Sequence, residues 1–249
     1  MSFGVPDPQS ELQLIIPGFW FTPGVSSSRW GPFGLGLRRV VCLAKRDPQE
    51  RRTIIRIPIF YPMPYIPLEE HLPGITGLLE YRKDTAGPIR ELTQFLLRGP
   101  STLTEGEREL IATVVSYNNQ CTFCTTAHTA AADRLLGECE TTAKVKENID
   151  TAPVSEKMKA LLTIARQVQQ GGKNVTTQSV ERAKKAGATD IEIHDTVLIA
   201  ALFCLYNRYV DGMATRLPDS PDYYNTLADR LTTIGYNRLP QGYDHLKKK

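Results

Sequence analysis

The side chains in this 249-residue chain best suited to covalent chemistry are two cysteines two residues apart, a histidine just beyond them and a glutamate upstream. They are Cys121, Cys124, His128 and Glu109. On a helix opened by Cys121, Cys124 falls at i+3 and His128 at i+7, so the three side chains project from one face. A helix N-terminus and a neighbouring imidazole both favour thiolate, the nucleophilic form of cysteine. The set therefore reads as a redox dithiol. Two other readings of the same residues stay open. One is a zinc site using Cys121, Cys124 and His128, with Cys139, His194 or His71 as a fourth ligand; the other is a pair of small core thiols. Haem attachment is excluded because Thr125, not His, follows Cys124.

Glu109 is placed by counting along a helical hairpin. With a tight connection centred near Asn119, Glu109 lies as far before the turn as His128 lies after it, to within one residue, so antiparallel helices bring them to matched height. Carboxylate, imidazole and thiol in series form a proton relay, the general form of an activated cysteine with its base and the group that orients the base.

The elements that must carry these residues are legible from periodicity and punctuation. Thr104 with Glu107 forms a capping box opening a helix whose buried stripe is Leu110, Ile111, Val114 and Val115, ended by Asn118 and Asn119. The next helix runs from about Cys121 to Leu136, with Gly137 at its C′ position. Pro88 and Gly99 bracket an apolar segment, Ile89 to Leu97. Further on, Ser155 caps a helix to about Gln169, Thr176 or Thr177 starts a short one ended by Gly187, and Thr189 with Glu192 forms a second capping box before a long apolar helix to Met213. Only the short runs Val40 to Leu43 and Ile54 to Ile59 resemble strands. The fold class expected is all-α: an irregular extension over 1–53 rich in Gly, Pro and Ser, a helical domain over 54–235 and a C-terminal tail over 236–249.

Composition bounds the function. Hydrophobic residues make up 41% and charged ones 23%, enough for a real core. Thirty Lys and Arg against 27 Asp and Glu leave a dispersed formal charge of +3, which provides no electrostatic footprint for nucleic acid. The longest apolar runs fall short of the roughly 18 residues that a membrane span needs. The stretch from Leu12 to Phe21 is short and follows Asp7 and Glu11, unlike a secretory leader. Five cysteines, an odd and sparse set, point to a reducing and therefore cytoplasmic setting rather than a disulfide framework. No Gly-rich phosphate loop or other cofactor motif is present, and no cofactor is expected.

The pattern Glu-x11-Cys-x2-Cys-x3-His, with the text around it in 97–137 and the later segment 187–217, resembles the alkylhydroperoxidase D (AhpD) and carboxymuconolactone decarboxylase superfamily, in particular its peroxidase-related branch. The resemblance spans about 54–235. It implies an AhpD-like helical bundle, homo-oligomeric assembly and dithiol-dependent reduction of hydroperoxides, with a hydroperoxide and an external dithiol reductant as partners. It also implies roles: Cys124 attacks the peroxide, Cys121 resolves, His128 shuttles the proton and Glu109 stands behind it as base. Alkylhydroperoxidase D carries a second His between its cysteines where this chain has Phe123, and the decarboxylase branch lacks the cysteine pair. Thiol-disulfide exchange with little peroxide turnover and a structural zinc module are the alternatives.

Overall fold

The structure, a computed structural model, describes residues 63–247. Among them are nine α-helices and no strand: α1 (Ile75–Tyr81), α2 (Lys83–Arg98), α3 (Glu105–Asn118), α4 (Thr122–Leu136), α5 (Glu140–Glu147), α6 (Glu156–Gln170), α7 (Thr177–Lys185), α8 (Asp190–Gly212) and α9 (Asp222–Thr233). The two candidate strands lie outside the described residues. None of these helices is long and apolar enough to cross a membrane.

The helix starts follow the chemistry of their caps. Thr104 Oγ1 accepts from the Glu107 N–H while the Glu107 carboxylate accepts from the Thr104 N–H, and Thr189 and Glu192 repeat the reciprocal pair at α8. Ser155 and Thr176 cap α6 and α7 in the same way with a single bond each. Gly137, at φ 75°, closes α4.

Two helix starts differ from the sequence reading. The segment 63–74 holds no helix, so within the described residues the helical pattern expected from Ile54 begins only at Ile75. Pro64, Pro67 and Pro73 explain this, since each removes a donor and drives the residue before it towards extended backbone. Conversely, α2 begins at Lys83 and carries Pro88 inside it rather than at its start. It tolerates the lost hydrogen bond because Leu96 and Leu97 anchor its far end in the core.

At the centre lies α3, buried on nearly every side, in contact with α4, α6 and α8. Leu110, Ile111, Val114 and Val115 are at most 1% exposed, and burying side chains of this size stabilises the fold by about 1.5–3 kcal/mol each. Gly106 lets α3 meet the end of α4 closely: a Cβ there would sit 3.0 Å from Leu136 Cδ2. Arg108 is buried, although a charged side chain on a helix usually faces solvent. Its guanidinium donates to the Leu96 and Gly99 carbonyl oxygens at 3.0 and 2.9 Å, satisfying acceptors at the C-terminus of α2 that no helical N–H reaches. Sequence patterning assigns charge to solvent, and this contact lies across a turn the pattern does not show.

Candidate active site

The α3–α4 hairpin positions the four expected residues. Its turn is tight because Gln120 adopts a left-handed conformation at φ 59°, letting the Cys121 N–H return to the Ser116 carbonyl at 3.1 Å. That backbone conformation costs a residue with a Cβ roughly 1 kcal/mol. Side chains hold the turn in place. Asn119 Nδ2 donates to Asn207 Oδ1 of α8 at 2.8 Å, Asn207 Nδ2 donates to Ser116 Oγ at 3.1 Å, and Gln169 Nε2 donates to Asn119 Oδ1 at 2.9 Å.

Cys121 is the N-cap residue of α4, and Cys124 occupies the third position of the helix. Both thiols are free; Cys121 is fully buried and Cys124 is 3% exposed. The hydrogen bond between the two side chains pushes the Cys121 thiol up, reinforced by burial and by the charge of Asp211, against which the Cys124 backbone N–H acts more weakly. Asp211, on the last turn of α8, is itself raised by burial, with the contact to Cys121 opposing.

Glu109, expected at matched height with His128, is completely buried. Its carboxylate accepts from His128 Nδ1 at 2.8 Å, from Arg98 Nη2 at 2.5 Å and from the Tyr236 hydroxyl at 2.5 Å. Burial alone would raise its pKa, but the hydrogen bond and charge of His128, the charge of Arg98 and the Tyr236 hydroxyl outweigh that, holding it at about 2. An ionised carboxylate can only accept, so Nδ1 is the donor in this contact and Nε2 is the ring's other nitrogen. The ring is fixed edge-on against Phe203, with centroids 4.4 Å apart, and lies parallel to Tyr236.

Cys124 and His128, one helical turn apart, both line a cavity of about 60 Å³ whose wall includes Phe123, Phe203, Tyr206 and Tyr236. Tyr206 is pushed up to about 12 by burial and shares a 2.5 Å hydrogen bond with Thr93, so it enters the site as a neutral phenol. Phe123 fills the place between the cysteines. It is 2% exposed and tilts against Tyr223 and Tyr224 at 6.3 and 5.8 Å, in an aromatic cluster rather than in a proton path.

All four expected residues therefore lie together. Sequence reading missed Arg98 and Tyr236, which stand behind Glu109. Tyr236 falls just past the end of the expected domain, and its only local signal is an aromatic after Gly235. His194, one of the candidate fourth zinc ligands, is exposed and its Nδ1 is 2.9 Å from Asp195 Oδ1. Cys204 is half-buried with Asn119 Nδ2 at 3.6 Å from its sulfur. Among the described residues no group of three or more His, Cys, Asp or Glu side chains is arranged to hold a metal ion, so Cys121, Cys124 and His128 do not converge as ligands.

Residues 85–136, which span Glu109 to His128, match the carboxymuconolactone decarboxylase family. Comparison with curated proteins gives no match. Among solved structures, the chain is similar to the AhpD core of an uncharacterized peroxidase-related protein from Ralstonia eutropha JMP134, with 26% identity and a TM-score of 0.56 over 63% of this chain and 80% of that one. An uncharacterized peroxidase-related protein from Silicibacter sp. TM1040 gives 24% identity and a TM-score of 0.56 over 61% and 78% of the two chains. A protein of unknown function from Agrobacterium tumefaciens shares the fold at 20% identity, with a TM-score of 0.51 over 57% of this chain and 97% of that one. In its helical fold and in the segment 85–136, this chain is similar to AhpD-like proteins of the carboxymuconolactone decarboxylase family.

Proposed function

We propose that the protein is a cysteine-based alkyl hydroperoxide reductase, with Cys124 as the attacking thiol, Cys121 as the resolving thiol and Glu109 and His128 as the proton relay. The observation that carries this reading is the Glu109–His128 hydrogen bond, made by a ring that lines the same cavity as Cys124.

In the first step His128 Nε2 takes the Cys124 proton and the thiolate attacks the distal peroxide oxygen. The O–O bond breaks, two electrons pass from sulfur to oxygen, and the leaving alkoxide takes the proton back from His128, giving an alcohol and a Cys124 sulfenic acid. Cys121 then attacks the sulfenic sulfur; an S–S bond forms and water leaves with the Cys121 proton. An external dithiol restores both thiols by exchange and is itself oxidised to a disulfide. The free N–H groups in the first turn of α4 favour the negative charge that develops on sulfur.

Burial favours a hydroperoxide over a protein disulfide as the oxidant. Cys124 is 3% exposed and Cys121 fully buried, so a small molecule enters where a folded partner's disulfide has no approach without local opening. Homo-oligomeric assembly and a cytoplasmic, reducing setting complete the reading.

The test is the time course of organic hydroperoxide consumption with a dithiol reductant, comparing wild type with Cys124→Ser and Cys121→Ser. Turnover by wild type alone supports the assignment. Consumption by wild type no faster than by the reductant itself would overturn it in favour of thiol-disulfide exchange.

A further inference from the structure

The wall of the cavity opposite the α3–α4 hairpin carries two guanidiniums that the proton relay does not use. Arg90 of α2 is 7% exposed. Its Nη1 donates to the Tyr243 hydroxyl at 2.9 Å and its Nη2 to Glu80 Oε1 at 3.0 Å, while its Nε is buried with no acceptor among the described residues. Arg230 of α9 is half-buried, forms no ion pair among the described residues, and leaves Nη1 buried without an acceptor. The guanidinium carbons of both lie over the ring of Tyr243, at 5.8 and 5.7 Å from its centre, and both arginines line the cavity beside Cys124.

Charge there is not balanced. Glu80 serves both Arg90 and Arg238, the latter at 2.8 Å, so one carboxylate answers three guanidiniums once Arg230 is included. Asp229, next to Arg230, pairs with Arg134, Asp244 pairs with Lys247, and Glu91, next to Arg90, is exposed at the surface. Arg230, Thr76 and Leu227 also line a second cavity of about 230 Å³, so the two cavities adjoin at these residues. The remaining wall next to Cys124 is apolar, with Ile75, Leu79, Leu227 and Leu231. A buried guanidinium N–H without an acceptor is costly, and the planar fork of arginine matches a carboxylate.

We propose that this site selects an anionic substrate: an organic hydroperoxide with an apolar body and a carboxylate, the carboxylate taken by Arg230 and the Nε of Arg90 and the apolar body lying along the leucine wall beside Cys124. That the bound molecule is a hydroperoxide rests on the peroxidase reading; that it is a carboxylate does not.

The experiment separates the two. Calorimetry on the reduced full-length protein compares octanoate with 1-octanol, which share an apolar chain and differ in the charged end. Octanoate is expected to bind at least tenfold more tightly than octanol, Arg230→Gln to erase that preference while leaving octanol binding unchanged, and Arg230→Lys to restore part of it. Equal binding of the two probes, binding of neither, or equal weakening of both in Arg230→Gln overturns the proposal; circular dichroism of each variant identifies a loss due to misfolding, and Arg230→Lys then decides. In parallel, consumption of a fatty-acid hydroperoxide is compared with that of its methyl ester. A preference for octanoate without turnover of either hydroperoxide leaves the anion site standing and removes the peroxidase reading, whereas equal turnover of acid and ester with no octanoate preference does the reverse.

Discussion

Glu109 and Glu192 are both buried carboxylates in the early turns of helices, each held by three donors and at about 2. Glu192 accepts from Lys157 Nζ at 2.7 Å, Thr189 N–H at 2.8 Å and Thr102 Oγ1 at 2.9 Å. The electrostatics are alike, since in each case burial pushes the group up and donors pull it further down. What differs is where the donors lead. Those of Glu192 end at a capping turn and a lysine, whereas one donor of Glu109 is an imidazole that lines the same cavity as the Cys124 thiol. A strongly depressed carboxylate therefore marks a saturated hydrogen-bond site, and only a path onward to a nucleophile turns it into a candidate for chemistry.

Changes at and around these two groups test the contrast. The largest effect is expected from Cys124→Ser, which removes the end of the Glu109 path: peroxide turnover should fall by about a thousandfold or more with the fold intact, read from consumption rates and circular dichroism. Glu109→Gln should lower kcat/KM by about a hundredfold, within the usual range for general acid–base groups, whereas Glu192→Gln should leave kcat/KM within about twofold and lower Tm alone. Comparable loss of activity in both variants would break the comparison.

Acid stability gives the next test. Both carboxyls have pKa values lowered from 4.5 to about 2, so their stabilisation is complete above pH 4.5 and is lost as pH falls towards 2. For the fully buried Glu109 this amounts to something on the order of 3 kcal/mol. Denaturant midpoints measured between pH 6 and 2 should fall steeply for wild type, and each Glu→Gln variant should flatten that limb. Tyr236→Phe removes one of the three donors to Glu109 and should cost about 1 kcal/mol with a several-fold drop in kcat/KM. The smallest effect is expected at a cap remote from the cavity. Thr104→Ala should cost about 1 kcal/mol through the lost capping box, seen as a fall in Tm of a few degrees, with turnover unchanged.

Much of the site was legible because it is local. Cys121, Cys124 and His128 lie on one helix, and Glu109 lies on the helix before it, so 3.6-residue periodicity and a short turn suffice to bring them together. The capping boxes at Thr104 and Thr189 were legible for the same reason. Arg108 was not: its acceptors are main-chain oxygens on the other side of a turn, and nothing in its neighbours distinguishes it from a solvated charge. Arg98, Tyr236, Arg90 and Arg230 come from the segments before and well after the hairpin, and no period in the sequence relates them to it.

The sequence by itself determined the all-helical class, the hairpin and the identity and spacing of the two cysteines and of the residues proposed as their relay, since helix geometry converts spacing directly into proximity. Only the tertiary structure decided that Glu109 is buried and ionised, that Tyr236 and Arg98 hold it there, and that two arginines without enough carboxylates line the same cavity as Cys124. Those properties depend on desolvation and on contacts between residues as much as 153 positions apart, such as Arg90 and Tyr243, and these arise only when the helices pack.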